Sequence, residues 1–219
     1  MAVFIYQTEC FSSIVAEGED AAEYLQSQWT VDLLKPADQS VAYGLRLNRK
    51  GRVLADAFLF KFSEERLLLA SQSGTSEELI ELMEENLVAD DAQFGPDAER
   101  SSLFVCWSDE LSLLLRSLDL SLVSLADSFE ETPFGLLHAG RMGRTPCVRF
   151  LCSTDQAARL REALARLEAS KQLRFVDAPG QELCADPRVE GERGRAVRAQ
   201  QRLLKLPTLA PRLADMARL

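Results

Sequence analysis

The sequence is poor in the residues and motifs on which many catalytic and metal sites depend. It has a single histidine, His138, and five cysteines, an odd number with no CxxC pair. It also contains no GxSxG elbow, no GxxxxGK loop and no GxGxxG turn. A Ser–His–Asp triad, a zinc site and a nucleotide-phosphate loop are therefore not expected, and no metal ligand is predicted. We expect His138 to be a core or surface histidine.

Long apolar runs and an excess of positive charge are also lacking. No run approaches the roughly 18 apolar residues of a transmembrane helix, and no basic segment precedes an apolar core in the first ten residues, so neither a membrane span nor a signal peptide is expected. The net charge of −9 argues against general binding to nucleic-acid phosphates. The odd cysteine count is typical of reduced thiols. We therefore expect a cytoplasmic protein without nucleic-acid or membrane partners, in which Cys106, among apolar neighbours, is an inert core thiol.

What is present is a repeated order of strands and helices. With 219 residues, the chain forms one large domain or two small ones. The pattern predicts strand, helix, strands and helix, first in about 1–95 and again in about 100–170. Because hairpins dominate and the parallel βαβ rhythm is missing, we predict an α+β fold with mainly antiparallel sheets and packed helices. Three helices begin at a predicted capping box: Asp20 with Glu23, Thr75 with Glu78, and Ser153 with Gln156.

The central stretch, residues 43–62, predicts a β-hairpin with a polar turn at residues 49–51. On its second strand, Asp56 shares a face with leucine and phenylalanine, and an unpaired charge is expensive to bury. One interpretation is a functional carboxylate that meets a donor or a ligand. The other places Asp56 in water at a sheet edge, or pairs it with Arg46 across the hairpin. Residue chemistry alone favours the second interpretation, because structural ion pairs also put acids in unusual places.

The last 34 residues have a different composition from the rest of the chain. Residues 186–219 carry eight Arg and Lys against four Asp and Glu, whereas residues 1–185 carry seventeen against thirty. We predict that 186–219 is a basic tail and not a folded subdomain, with at most one helix from Val197 to Leu206 lying on the acidic body. A nucleic-acid arm is the less favoured alternative, since the segment has no aromatic residue.

Two stretches carry a family resemblance. The run from Gly18 to Asp32, GEDAAEYLQSQWTVD, resembles the opening motif of the YgfZ-like folate-binding proteins, which are relatives of the glycine-cleavage T-protein, the aminomethyltransferase. The run from Leu47 to Asp56, LNRKGRVLAD, is similar to the hairpin of the same family. The resemblance extends over about 1–170, and it implies a folate-binding domain at 1–185 followed by the atypical tail.

The resemblance implies a ring of small ferredoxin-like subdomains around a central hole in which a folate lies. It implies tetrahydrofolate as the cofactor, with Asp56 as the catalytic carboxylate and with Asp56, Ser71 and Tyr43 as folate-binding residues. The implied function is that of a folate-binding accessory protein in the assembly or maintenance of iron–sulfur enzymes, with iron–sulfur client proteins as partners. Two alternatives stay open: a folate-dependent aminomethyltransferase of the T-protein type, and a non-catalytic remnant of the fold. The sequence leaves open whether the chain is an enzyme.

The sequence also departs from the family pattern. The motif K-G-C-Y-x-G-Q-E, expected near residue 190, does not occur, and Cys184 stands instead in the run ELCAD. We also expect no counterpart of the C-terminal barrel of the longer relatives in these residues.

Overall fold

The computed structural model describes most of the chain up to residue 177. The described residues fall into two compact units, which are called the 11–98 unit and the 99–177 unit; the second also includes residues 2–8. The basic tail and Cys184 lie outside the described residues. The described ranges are 2–8, 11–72, 74–108, 111–120, 127–142, 145–169 and 174–177.

Eleven strands and four helices are formed by the described residues, in an order close to the predicted one. In chain order they are β1 (Ala2–Thr8), β2 (Ser12–Glu17), α1 (Ala21–Gln28), β3 (Ser40–Leu47), β4 (Val53–Lys61), β5 (Arg66–Ser71), α2 (Ser76–Glu84), β6 (Gln93–Pro96), β7 (Ser102–Trp107), α3 (Leu111–Ser117), β8 (Phe129–Thr132), β9 (Gly135–Met142), β10 (Thr145–Cys152), α4 (Thr154–Ala169) and β11 (Arg174–Asp177).

Both units are layers of helices on a mainly antiparallel sheet. The 11–98 unit has a five-stranded sheet in the order β3-β4-β5-β2-β6, and the 99–177 unit has a six-stranded sheet in the order β11-β1-β7-β10-β9-β8. Within the described strands, only β1 and β11 pair in parallel. The predicted α+β class with mainly antiparallel sheets is confirmed. The order strand, helix, three strands, helix occurs in each unit, from β2 to α2 and from β7 to α4.

The first strand, β1, was not predicted, and it does not belong with the residues up to 95 with which the prediction grouped the start of the chain. β1 pairs along its length with β7 and at its other edge with β11, so it belongs to the 99–177 unit. β7 begins 100 residues after the start of β1, at Ser102, and β11 begins still further along the chain, at Arg174. A pairing of that kind leaves no local signal in the sequence, since a strand's neighbours are set by the tertiary fold.

Two of the three predicted capping boxes are present. Thr75 and Glu78 each accept the other's backbone N–H at the start of α2, and Ser153 and Gln156 do the same before α4. The predicted box at Asp20 is wrong. The Asp20 side chain makes no cap and instead accepts a hydrogen bond from the backbone N–H of Asp91 at 2.8 Å, which fastens the loop before β6 to the start of α1.

Each helix pair buries an apolar stripe against its own sheet. In the 11–98 unit, Leu25 of α1 and Met83 of α2 pack with Leu59 and Leu69 of the sheet, and the Tyr24 hydroxyl donates to the Met83 carbonyl. The core of the 99–177 unit is formed by buried residues that include Val3, Phe104, Cys106, Leu114, Leu115, Val148, Phe150 and Leu160.

The buried thiols and the histidine belong to the 99–177 unit. Cys106 is fully buried, as the sequence predicts, and burial raises the pKa of its thiol far above the ordinary value. Burial likewise raises the pKa of Cys152 to about 12. His138 is a core histidine with an exposed fraction of 1%, and it lies opposite Arg149 in the pairing of β9 with β10. These thiols are therefore protonated and inert near neutral pH.

No helix within the described residues is both long and apolar enough to cross a membrane.

Candidate functional site

The sheet of the 11–98 unit has two different faces. Helices α1 and α2 cover the face that carries Ala57, Leu59 and Leu69. Because successive side chains of a strand point to opposite faces, the residues between them lie on the other side. We call that side the Asp56 face. By register it carries Ser13, Val41, Tyr43, Leu45, Asp56, Phe58, Phe60, Leu68 and Ala70.

The central feature of the Asp56 face is a hydrogen bond between two side chains of one hairpin. Asp56 is 2% exposed, and its Oδ2 accepts a hydrogen bond from the Tyr43 hydroxyl at 3.0 Å. Tyr43 stands directly opposite Phe58 in the β3–β4 pairing, so its phenol reaches diagonally along the neighbouring strand to Asp56. A hydrogen bond from a phenol to a carboxylate is charge-assisted, so it offsets part of the cost of burying the Asp56 side chain.

The interpretation that residue chemistry favoured for Asp56 is wrong on both counts. Asp56 is buried and not in water. Arg46 pairs with Ala55 in the register, and its Nη1 donates to the carbonyl oxygens of Gln28 and Leu47. A β-bulge explains part of the difference. The register shifts between Arg46 and Leu47, so the pairing passes over Leu54, and regular alternation on β4 begins only after it.

An apolar surface surrounds the carboxylate. The rings of Tyr43 and Phe58 are tilted at 54° with centroids 5.2 Å apart, and both side chains are half-buried, as is Leu45. Further across the sheet, Phe60 and Leu68 are buried. The accessible part of the Asp56 face therefore lies around Tyr43, Phe58 and Leu45, next to the acid.

Ser71 is not brought together with Tyr43 and Asp56. It is the last residue of β5, and alternation places its side chain with Leu67 and Leu69 on the helix-covered face. It is 1% exposed, and its carbonyl accepts a hydrogen bond from Ser12 Oγ at 3.3 Å. Alternation therefore puts the Ser71 side chain on the face away from the carboxylate. No observation tests the predicted contact of Ser71 with a folate, so that contact stays a prediction.

The sequence did not predict a second polar pair that lies on the Asp56 face. In the register, Tyr43, Phe58, Ala70 and Ser13 form one row across four strands. At the far end of this row, the Ser13 hydroxyl donates to Asp97 Oδ2 at 2.9 Å. The two partners are 84 residues apart, so no local pattern connects them. The only available signal was a pair of serines at the start of a strand.

This arrangement can hold a flat ring with N–H groups at its edge. The half-buried aromatic rings of Tyr43 and Phe58 offer an apolar wall, and Asp56 offers acceptors at a fixed position. An ionised carboxylate has about four lone-pair sites, so Asp56 can accept from Tyr43 and from a ligand at once. Ligand sites are commonly built in this way, from apolar walls and a few placed polar groups.

Comparisons with known proteins point to one superfamily. Residues 1–106, which contain the whole Asp56 face, match the model of the GCVT N-terminal domain. A curated relative, the aminomethyltransferase of Thermoanaerobacter pseudethanolicus (strain ATCC 33223 / 39E), is 29% identical over 85 residues, which are 39% of this chain and 23% of the relative. These matches support the superfamily of the glycine-cleavage T-protein. The narrower YgfZ-like resemblance stays a prediction.

The fold resembles part of the fold of a glycine-cleavage T-protein. The crystal structure of the glycine cleavage system aminomethyltransferase T from Bartonella henselae superposes with a TM-score of 0.68 at 18% identity, over 80% of this chain and 47% of that protein. At this identity the likeness concerns the fold alone. The chain thus spans less than half the length of the T-protein relatives that it matches.

Proposed function

We propose that this chain binds tetrahydrofolate on the Asp56 face, as the folate-binding part of an aminomethyltransferase-type protein. The observation that carries the proposal is the buried carboxylate of Asp56, held by the Tyr43 hydroxyl at 3.0 Å inside the segment that matches the GCVT N-terminal domain. A buried acid with a fixed donor in an apolar face is a candidate binding or catalytic group.

The residues present fit a reduced pterin. The pterin ring has N–H donors along one edge and apolar ring faces, and Asp56 with the half-buried rings of Tyr43 and Phe58 offers the complementary groups. The Asp56 carboxylate would accept from the ring edge. Tyr43 would keep that carboxylate oriented, because its hydroxyl already occupies one oxygen.

Bound tetrahydrofolate would supply the amine nitrogen that accepts a one-carbon unit. In that setting Asp56 has two roles open to a carboxylate: it positions the ring through a hydrogen bond, and it stabilises positive charge that develops on the nitrogen or takes up its proton. The low exposure of Asp56 favours these roles, because electrostatic interactions weaken in water.

A second candidate is the accessory role in the assembly or maintenance of iron–sulfur enzymes. It is favoured by the two YgfZ-like stretches at Gly18 to Asp32 and Leu47 to Asp56. This candidate adds iron–sulfur client proteins as partners and a cytoplasmic location. Both candidates use the same folate site. The matches to the GCVT N-terminal domain and to an aminomethyltransferase favour the transferase over the accessory role.

The binding proposal is tested by titrating the full chain with tetrahydrofolate under anaerobic conditions, with calorimetry or tryptophan fluorescence as the readout. The expected result is saturable one-to-one binding that a pterin without the glutamate group also shows at lower affinity. Absence of binding up to about 1 mM, an affinity below about 4 kcal/mol, would leave only the non-catalytic remnant.

Transfer is tested separately from binding. The chain is mixed with tetrahydrofolate and a carrier protein that bears an aminomethyl group, and methylenetetrahydrofolate is followed by mass spectrometry. Its formation above the rate without the chain supports the aminomethyltransferase. Folate binding without transfer supports the accessory role, which then predicts loss of activity of iron–sulfur enzymes in cells that lack the protein.

A further inference from the structure

The 99–177 unit contains a cavity of about 370 Å³. Three stretches that are far apart in the sequence form its wall: the residues just before β7, the turn between β8 and β9, and the residues around the start of α4. Its volume lies near the lower end of the range for small-molecule sites, so the cavity suits a small ligand. The polar residues of the wall are Glu99, Arg100, Glu131, Thr132, Ser153 and Gln156.

Arg100 is the cationic group of this cavity. Its side chain is only 12% exposed, which is low for an arginine, and its Nη1 lies 3.4 Å from Glu99 Oε2. The Glu99 side chain is 70% exposed, so this ion pair lies at the edge of solvent. The planar guanidinium is the cationic group best suited to a carboxylate, which it binds through paired N–H groups. Arg100 therefore marks the part of the cavity that suits a ligand carboxylate.

Ser153 and Gln156 add hydrogen-bond donors to the same wall. In their capping box, Gln156 Oε1 accepts from the Ser153 backbone N–H at 2.9 Å, and Ser153 Oγ accepts from the Gln156 backbone N–H at 3.3 Å. The Ser153 O–H and the Gln156 side-chain N–H groups remain as donors, and neither donates to another described residue. Both residues are half-buried. This part of the wall therefore favours a ligand that brings acceptor oxygens.

Glu131 brings the opposite charge to the cavity. It is exposed on β8, which lies at the edge of the sheet, and its carboxylate makes no ion pair or hydrogen bond with any residue that the structure describes. Glu99 is a second carboxylate of the same wall. A simple anion is disfavoured by these two carboxylates, and a simple cation is disfavoured by Arg100. A ligand that carries both charges complements both parts of the wall.

From this arrangement we infer that the cavity binds a small zwitterion of the α-amino acid class. The ligand carboxylate is held by Arg100, Ser153 and Gln156, and the ligand ammonium group is held by Glu131. Leu136 is buried in the same wall and offers an apolar surface to the side chain of the amino acid. The cavity belongs to the 99–177 unit, whereas the proposed folate site belongs to the 11–98 unit. The inference therefore goes beyond the proposed function and does not depend on it.

The first test titrates the full, isotope-labelled chain with L-leucine and follows its amide signals by NMR. Saturable shifts are expected at the side-chain amide of Gln156 and at the backbone amides of Ser153 and Leu136. The expected Kd is about 1 mM, an ordinary value for so small a ligand. If these signals show no saturable shift up to about 20 mM L-leucine, about twenty times that Kd, the inference is overturned.

Two analogues of L-leucine test the two ligand charges separately. L-leucinamide lacks the carboxylate and is expected to bind at least about tenfold more weakly, because it loses the charge-assisted hydrogen bonds to Arg100. N-acetyl-L-leucine lacks the ammonium group and is expected to bind about two- to fivefold more weakly, because the contact with Glu131 is exposed to solvent. Equal affinity of the three compounds, or tighter binding of either analogue, would show that the cavity does not recognise a zwitterion.

A matched pair of variants tests the position of the ammonium group. Glu131→Gln changes an exposed side chain, so the fold should be kept, and L-leucine should bind about two- to fivefold more weakly while N-acetyl-L-leucine binds as it does to the parent. Glu130→Gln is the control, because Glu130 is the exposed neighbour on β8 whose side chain alternation places on the other face of the sheet. It should bind L-leucine as the parent does. An unchanged affinity in Glu131→Gln, or an equal loss in both variants, would overturn the inference.

Discussion

The Tyr43 hydroxyl donates a hydrogen bond to Asp56 Oδ2 at 3.0 Å across the β3–β4 hairpin. Asp56 pairs with Leu45 in the register, so the bond joins diagonal neighbours and leaves the ring of Tyr43 against Phe58. One hairpin therefore supplies the acid, its donor and an aromatic wall. The position of the carboxylate depends on the register of β3 with β4, and the hydrogen bond supports that register.

Removing the Tyr43 hydroxyl should destabilise the protein. Tyr43→Phe leaves the buried carboxyl group of Asp56 with one donor fewer, and we expect the free energy of unfolding to fall by about 1–3 kcal/mol. Urea unfolding of the variant and the parent measures the change. Tyr6→Phe is a suitable control, because Tyr6 on β1 has no hydrogen bond from its hydroxyl to any described residue. Equal stability of the two variants would contradict the role given to the Tyr43–Asp56 bond.

Gly18 should tolerate no side chain. A Cβ at this position would lie 2.1 Å from the carbonyl oxygen of Asp91, and its φ of +135° is one that other residues rarely adopt. Gly18→Ala is expected to cost about 2–4 kcal/mol in the free energy of unfolding, because backbone must move to relieve the clash. Gly95→Ala has open space for its Cβ and should cost less than about 1 kcal/mol. Similar costs in thermal unfolding would show that the approach of Asp91 to Gly18 is not tight.

His138 should stay neutral in the folded protein below the pH at which a free histidine titrates. Burial, and then the positive charge of Arg149, lower its pKa well below 6.5. In the unfolded chain the pKa is about 6.5, so below that pH the unfolded state binds a proton that the folded state does not. Stability is therefore complete above about pH 6.5 and falls as the pH decreases, by up to about 1.4 kcal/mol per pH unit.

Because His138 is the single histidine, this effect can be observed directly. Its imidazole NMR signals should keep the neutral form below pH 6.5, where a free histidine becomes protonated. Between about pH 5.5 and about pH 6.5, the free energy of unfolding should change less steeply with pH in His138→Gln than in the parent. Titration of the imidazole near pH 6.5 in the folded state would contradict the burial of His138.

Features set by short stretches of sequence were predictable, and those set by long-range register were not. The capping boxes at Thr75 and Ser153 involve residues three positions apart, and the hairpin depends on alternation and a turn, so both were predicted. The predicted box at Asp20 is absent because the Asp20 carboxylate accepts a hydrogen bond from the backbone N–H of Asp91, 71 residues away.

The same distinction explains the candidate site. The sequence singled out Asp56 because an acid among apolar residues on a strand is chemically unusual, and the family resemblance added Tyr43. It did not predict the hydrogen bond between Tyr43 and Asp56. Without a bulge, alternation would put Arg46 and Asp56 on the same face of the hairpin, but the bulge places Arg46 opposite Ala55 and thus on the other face. The family resemblance implied that Ser71, at the end of the third strand, contacts the folate, but the face on which its side chain lies depends on the alternation of the whole strand.

The affinity of Asp56→Asn for tetrahydrofolate tests the central claim most directly. Asparagine keeps the shape of the side chain and removes its charge, and the control Asp32→Asn removes a charge from an exposed ion pair in the same unit. The account predicts that Asp56→Asn binds tetrahydrofolate about 5- to 150-fold more weakly than the parent, a loss of about 1–3 kcal/mol, with the circular dichroism spectrum unchanged and with Asp32→Asn equal to the parent. Equal affinity of Asp56→Asn and the parent would contradict the assignment of the folate site to the Asp56 face.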